Sequence, residues 1–198
     1  MVKMGIIGAG RIAGFMGRTL QGMDTVGRYA IAARDYERAK AFAEKYGFEK
    51  AYGSYEEMVK DPEVDLVYIA TPHSHHYDHV KLCLEHGKHV LCEKAFTVNE
   101  GQARELFAMA KERGLLLTEA IWTRYMPMRK TLEEVLASGI IGNPYMLTAN
   151  LSYIIDHKER IKKPELAGGA LLDIGIYTLN FASMAFGEDI ERITGTAT

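Results

Sequence analysis

Residues 4–10 read Met-Gly-Ile-Ile-Gly-Ala-Gly, a short apolar run that stops on glycines, and Arg11 to Leu20 behind it has helical spacing. A strand turning this tightly into a helix commits the chain to layered α/β packing, because the helix must fold back onto a sheet. In Gly8-x-Gly10-x-x-Ala13 the first glycine permits the turn and the second lets a ligand approach the backbone. The small third residue lets helix and strand pack. The helix start then offers free N–H groups and a positive dipole end, which is an anion site.

The pattern repeats. Tyr29–Ala33 is apolar, and Ala39, Phe42, Ala43 and Tyr46 recur at helical spacing until Gly47. Ser54-Tyr55-Glu56-Glu57 has the form of a capping box before a short helix. Val64–Ala70 has the look of a central parallel strand. Ser74–His86 then reads as helix, Lys88–Cys92 as strand, Asn99–Arg113 as helix after a Thr97-x-x-Glu100 box, and Leu115–Thr118 as strand. Strands alternating with helices predict a doubly wound parallel sheet over residues 1–120. After Trp122 the expectation changes to a second, incomplete α+β domain over 121–198, mostly antiparallel sheet. Its elements are a helix over Met128–Ala137, a strand over Tyr145–Tyr153, an apolar helix from Gly168-Gly169 to about Phe186, and a last strand over Ile190–Thr198.

Composition narrows the function. In 198 residues, 24 Lys+Arg against 26 Asp+Glu leave a net charge of −2, and 47% are hydrophobic. This excludes a disordered chain and gives no electrostatic reason to expect nucleic acid or anionic membrane as partner. Two cysteines make no disulfide framework, the N-terminus starts as a strand and not as a cleavable signal, and no apolar run approaches a bilayer span. A soluble protein of the reducing cytoplasm is expected.

A helix start beside a glycine turn, inside a βαβ unit, is the pattern that holds a dinucleotide pyrophosphate, here at Gly8, Gly10, Arg11, Ile12 and Ala13. At the end of the second strand, Ala33-Arg34-Asp35 supplies an arginine, with Arg38 one turn on. Two guanidinium groups facing one 2′-phosphate favour NADP. In the alternative, Asp35 takes the ribose and NAD is bound. Thr71-Pro72-His73-Ser74-His75-His76-Tyr77-Asp78-His79 crowds four imidazoles together, and His75 and His79 have zinc-like spacing. Its position at the carboxyl edge of the central strand suits a cofactor pocket better, with Thr71, His73 and His76 lining it and no metal. Glu93-Lys94 ends the next strand at the same edge, where the lysine reaches cofactor or substrate and Glu93 holds its ammonium.

With these motifs and Gly168-Gly169-Ala170-Leu171-Leu172-Asp173-Ile174-Gly175-Ile176-Tyr177, the chain resembles the glucose-fructose oxidoreductase, inositol dehydrogenase and MocA family over essentially its whole length. Glu119–Arg124 and Asp173–Tyr177 are most similar to its dihydrodiol and NADP-dependent xylose dehydrogenase branch. The resemblance implies a pyridine-nucleotide enzyme with a Rossmann domain and a sheet domain through which copies associate. It also implies longer members, so the second domain here is expected to be truncated. By position, Lys94 matches the lysine of the Glu-Lys-Pro motif, with Ala95 for the proline, and Asp173 matches the acid of Asp-x-Gly-x-His-x-x-Asp. Tyr177 stands for its histidine and Asn180 for its second acid.

Asp173 and Tyr177 are four apart on a helical stretch and can share a pocket. The expected chemistry is proton exchange by Tyr177, its pKa lowered by Lys94, with Lys94 stabilising negative charge and Asp173 orienting substrate or lysine, while hydride moves between substrate carbon and nicotinamide. Trp122 and Arg124 are substrate-side candidates, stacking and anchoring a sugar, polyol or trans-dihydrodiol; core packing is the other reading of Trp122. The competing functions are a non-catalytic dinucleotide sensor and an inactive truncated relative. The basic loop Lys158–Lys163 reads as a solvated turn.

Overall fold

The computed structural model describes residues 1–155 and 157–196. Six strands form one sheet: β1 Val2–Ile7, β2 Val26–Ala32, β3 Lys50–Tyr52, β4 Leu66–Ile69, β5 His89–Glu93 and β6 Leu117–Ala120. Their order is β3-β2-β1-β4-β5-β6 and every pairing is parallel. The sequence reading missed β3, whose three residues are too few to show a period. The helices α1 Arg11–Leu20, α2 Tyr36–Tyr46, α3 Tyr55–Lys60, α4 His76–Glu85 and α5 Glu100–Glu112 cross between the strands.

Because the sheet is covered on both sides, its central strands are largely apolar. Ile6, Ile7, Ile31, Val67, Ile69 and Val90 are all inaccessible to solvent, and each such side chain contributes about 1.5–3 kcal/mol on burial. Gly14 and Gly17 let α1 meet the Tyr46 ring: a Cβ on Gly14 would lie 2.7 Å from its hydroxyl. Ser54 caps α3 through the Glu57 N–H as expected. The box predicted before α5 is not the one used. Asn99 is the cap, accepting from the Gln102 N–H at 3.0 Å, while the Thr97 hydroxyl donates to the Asn99 carbonyl.

The strand order reverses between β1 and β4. Their carboxyl ends, with those of β2 and β5, therefore open a crevice at the switch point.

Beyond β6 the chain forms α6 Pro127–Ala137, α7 Glu159–Lys162 and α8 Ile176–Phe186, the last entered through a single π turn over Leu171–Gly175. No strand follows β6 among the described residues, so the expected antiparallel sheet is not confirmed. Residues 145–153 run irregularly with Tyr145 and Met146 exposed, since a strand exists only against a partner that takes up its N–H and C=O groups. Residues 190–196 are also irregular, and the rest of that expected strand lies outside the described residues. The apolar-run expectation needs correction too: Pro164–Phe186 is long and apolar enough, by length and composition, to cross a membrane. Its backbone is broken at Ala167, at φ 53°, and at Gly169, and its buried side chains are the polar Asp173 and Asn180, so its inward face is a polar one.

Candidate active site

A cavity of about 510 Å³ fills the crevice. One end is the glycine turn. Gly8 sits at φ +97°, where a Cβ would lie 3.0 Å from Thr71 Cγ2 and 3.1 Å from the Ala70 carbonyl. A Cβ on Gly10 would meet nothing within 4 Å, so the space over the α1 N-terminus is open. Of the expected cofactor residues, Gly8, Gly10, Arg11, Ile12, Arg34, Arg38, Thr71, His73, Glu93 and Lys94 line the cavity. Ala13 is buried beneath them, where its small side chain lets α1 sit on the sheet.

Arg38 and Asp35 divide the work at the β2 end. The Asp35 carboxylate caps α2, accepting from the Arg38 N–H at 3.3 Å. The Arg38 guanidinium donates twice to the Ala9 carbonyl, at 3.1 and 2.9 Å, which fixes it against the turn. Arg34 is exposed at the rim.

The histidines act separately. His73 lines the cavity and faces the Ala167 carbonyl at 3.4 Å; burial pushes its pKa down to about 4. His79 faces Thr71 Oγ1 at 3.0 Å with Tyr55 edge-on, and burial pushes it down to about 4 as well. His76 is a correction. It is fully buried and absent from the cavity wall, its ring lying between the Ala95 carbonyl at 2.8 Å and the Thr71 carbonyl at 2.9 Å, so it joins two crevice loops instead of touching a cofactor. Among the described residues, no three His, Cys, Asp or Glu side chains converge on a point.

At the other end lies Lys94. Its ammonium donates to the Asp173 carbonyl at 2.5 Å and to Asp173 Oδ1 at 3.3 Å. It is therefore Asp173 that holds it, in place of the expected Glu93, which is half-buried, accepts from the Tyr68 hydroxyl and is pushed up in pKa by desolvation. The Lys94–Ala95 peptide is cis. Glu119, which sequence reasoning did not single out, accepts the Phe96 N–H at 2.9 Å and secures this loop from the β6 side. Burial raises its pKa.

Tyr177 lies with its ring 5.0 Å from the Lys94 ammonium. The lysine thus meets the ring face, and the expectation that it lowers the phenol pKa is corrected: burial raises that pKa, opposed by a hydrogen bond that Trp122 Nε1 donates to the phenol at 3.0 Å. Tyr177, Trp122 and Arg124 all lie outside the cavity lining. Trp122 is half-exposed and supports Tyr177, whereas the Arg124 guanidinium donates to Asn180 Oδ1 and, at 2.8 Å, to Ser183 Oγ. That turns Arg124 toward α8 and a smaller second cavity, away from its expected anchoring role.

Arg160 was missed. The loop that read as solvated carries it into the cavity, where it donates to Asp173 Oδ1 at 2.8 Å. Its sequence gives one hint, an arginine a few residues before the Gly168-Gly169 pair.

Residues 2–121 match the model of an oxidoreductase family with an NAD-binding Rossmann fold, and residues 130–198 match the GFO/IDH/MocA C-terminal domain. The chain is 45% identical over 188 residues to a trans-1,2-dihydrobenzene-1,2-diol dehydrogenase of Mus musculus, covering 94% of this chain and 56% of that protein. It is 50% identical over 158 residues to the same-named protein of Bos taurus, covering 80% and 47%. The chain thus spans about half the length of the curated relatives it matches. Among solved structures it resembles a 3-ketoreductase from Actinomadura kijaniata in complex with NADP and TDP-benzene, with TM-score 0.82, 32% identity, and 94% and 57% of the two chains covered. It also resembles an NAD binding oxidoreductase from Klebsiella pneumoniae, with TM-score 0.79, 30% identity, and 94% and 53% covered. The motifs, the crevice and these matches agree, and the chain belongs to the Gfo/Idh/MocA oxidoreductase family.

Proposed function

We propose that this chain carries the cofactor site and reacting groups of an NADP-dependent oxidoreductase acting on the CH–OH or C=O of a trans-dihydrodiol, sugar or polyol. The carrying observation is that one cavity runs from an open glycine turn to an ammonium seated on Asp173, with the Tyr177 ring against that ammonium just outside the cavity wall. The dinucleotide fits this cavity: the α1 N-terminus over Gly10 would hold the pyrophosphate, and Arg34 and Arg38 would hold a 2′-phosphate. When bound, the nicotinamide supplies the site with a two-electron donor and acceptor. NADP is favoured over NAD because two arginines, Arg34 and Arg38, line the β2 end, while the one carboxylate there, Asp35, gives Oδ1 to the cap of α2.

The residues divide the proton chemistry. Tyr177 keeps its proton at neutral pH and takes a hydrogen bond from Trp122 on its oxygen, leaving its own O–H to donate to a carbonyl oxygen. Lys94 then stabilises the negative charge on that oxygen, and Asp173 keeps the ammonium aimed by gripping it twice. In this reading residues 1–120 hold the cofactor, residues 121–198 contribute the substrate side, copies associate through the latter, and the protein works in the cytoplasm. Fluorescence titration of the purified chain with NADPH and NADH tests it. Tighter binding of NADPH is expected, tighter NADH binding would reverse the cofactor preference, and no binding of either would overturn the whole reading. Turnover is then screened with NADP and trans-dihydrodiols, xylose, glucose and inositol.

A further inference from the structure

Asp173 is a buried carboxylate on which two cations meet at one oxygen. Lys94 Nζ lies 3.3 Å from Oδ1 and Arg160 Nη1 lies 2.8 Å from the same atom. The two cations come from different parts of the chain: Lys94 from the end of β5, Arg160 from α7. The seat of Arg160 is built into the fold. A Cβ on Gly168 would stand 2.6 Å from the Arg160 carbonyl and 2.4 Å from that of Ile161, so only glycine lets this loop lie so close. The Gly168 N–H donates to the Lys163 carbonyl at 3.2 Å, and the Ala167 carbonyl faces His73. Among the described residues Arg160 uses one of its five N–H groups on a side-chain partner, and it borders the cavity.

We propose that Arg160 is a substrate-selecting residue, forming with Lys94 a pair of cations that takes two oxygens on adjacent carbons. This rests on the oxidoreductase reading and deepens it. A ligand with a single oxygen engages Lys94 alone. A vicinal diol or α-hydroxy carbonyl places its reacting oxygen on Lys94 and its neighbouring oxygen on the guanidinium, while Asp173 accepts a hydroxyl hydrogen. Arginine suits the second place because its planar fork fixes direction, which a lysine ammonium does not.

The test is equilibrium binding of trans-1,2-cyclohexanediol and of cyclohexanol to the NADP-loaded chain, followed by saturation-transfer NMR. It uses the parent, Arg160→Gln and Arg160→Lys, with NADPH affinity measured in parallel. The diol is expected to bind the parent more tightly than cyclohexanol, and Arg160→Gln to lose about tenfold for the diol, the size of one charge-assisted hydrogen bond. Cyclohexanol and NADPH affinities should stay within about twofold, and Arg160→Lys should recover part of the loss, as expected for a charge without the fork. Equal loss for both ligands, no loss for the diol, or full recovery with lysine would each overturn the assignment. A parent that binds NADPH but treats the two ligands alike overturns it too. A parent that binds no NADPH overturns the underlying reading, and the selection with it.

Discussion

Acid should weaken this fold through two histidines, one buried and one half-buried, and the size of the effect follows from the structure. His73 and His79 both face the crevice loops, and burial first, then the neighbouring imidazoles, holds both near a pKa of about 4. In the unfolded chain each returns to about 6.5. Above that value both states are neutral and stability is fully present. As pH falls from about 6.5 toward 4, the unfolded chain binds protons that the folded chain refuses, and stability drops until the folded rings charge as well. Linkage gives a loss of about 2 kcal/mol per histidine between about pH 7 and about pH 5. Glu93 and Glu119, raised by burial, work in the opposite sense over part of this range, so the bare pH slope is not the test. The test is a difference: urea unfolding of the parent and of His79→Gln at both pH values. Glutamine can keep a hydrogen bond to Thr71 but carries no titrating group, so the variant should lose about 2 kcal/mol less than the parent on acidification. If parent and variant lose the same amount, His79 is not held neutral and the reasoning fails.

Gly8→Val should destabilise the chain by about 2–4 kcal/mol and remove NADPH binding, since it combines a strained φ with contact against Thr71 and the Ala70 carbonyl; thermal melting and titration read both. Arg38→Ala should weaken NADPH binding about 10-fold or more while NADH changes little, and an equal change for both would assign Arg38 to holding the turn alone. Tyr177→Phe should lower turnover by about 10²-fold with little effect on NADPH affinity, measured by single-turnover absorbance.

The sheet was legible because its evidence is local. Gly8, Gly10 and Ala13 must be small where the chain turns, and Val64–Ala70 must be apolar where both faces are covered. Asp173 and Tyr177 were singled out by the family resemblance, and their four-residue spacing survives into structure, though through a π turn, a feature often seen at functional sites. What failed was anything set by direction in space. Nothing local says that His76 turns inward to two carbonyls, that Lys94 meets the face of Tyr177 and not its hydroxyl, or that Arg124 leaves the cavity for Asn180. Arg160 failed for a related reason. Charge runs usually mark solvated loops; only the approach of Gly168 to the Arg160 and Ile161 carbonyls and the contact of Ala167 with His73, 94 residues earlier, show that this one is folded back onto the histidine turn.

The two ends of the cavity rest on different forces, and this sets an order of opening. The glycine-turn end stands on strands whose side chains are fully buried, so exposing it means opening the sheet. The Lys94–Asp173 end depends on α8 and the π turn before it, where Leu171, Leu179 and Phe181 face solvent and the buried residues are Asp173 and Asn180. Its attachments are therefore polar: Lys94 and Arg160 to Asp173, Arg124 to Asn180, Trp122 to Tyr177. The Arg160, Arg124 and Trp122 contacts, each with a partly exposed partner, contribute on the order of 1 kcal/mol each and weaken with salt; the largely buried Lys94–Asp173 pair is screened less, and the apolar strands do not weaken. Amide hydrogen exchange should accordingly show α8 opening well before β1, β4 and β5, with the gap widening as salt rises. NADPH should protect the glycine turn without slowing α8 to the same degree. Exchange of α8 and the central strands at one common rate would mean that the two ends share a single cooperative unit and that the polar links are stronger than their exposure implies.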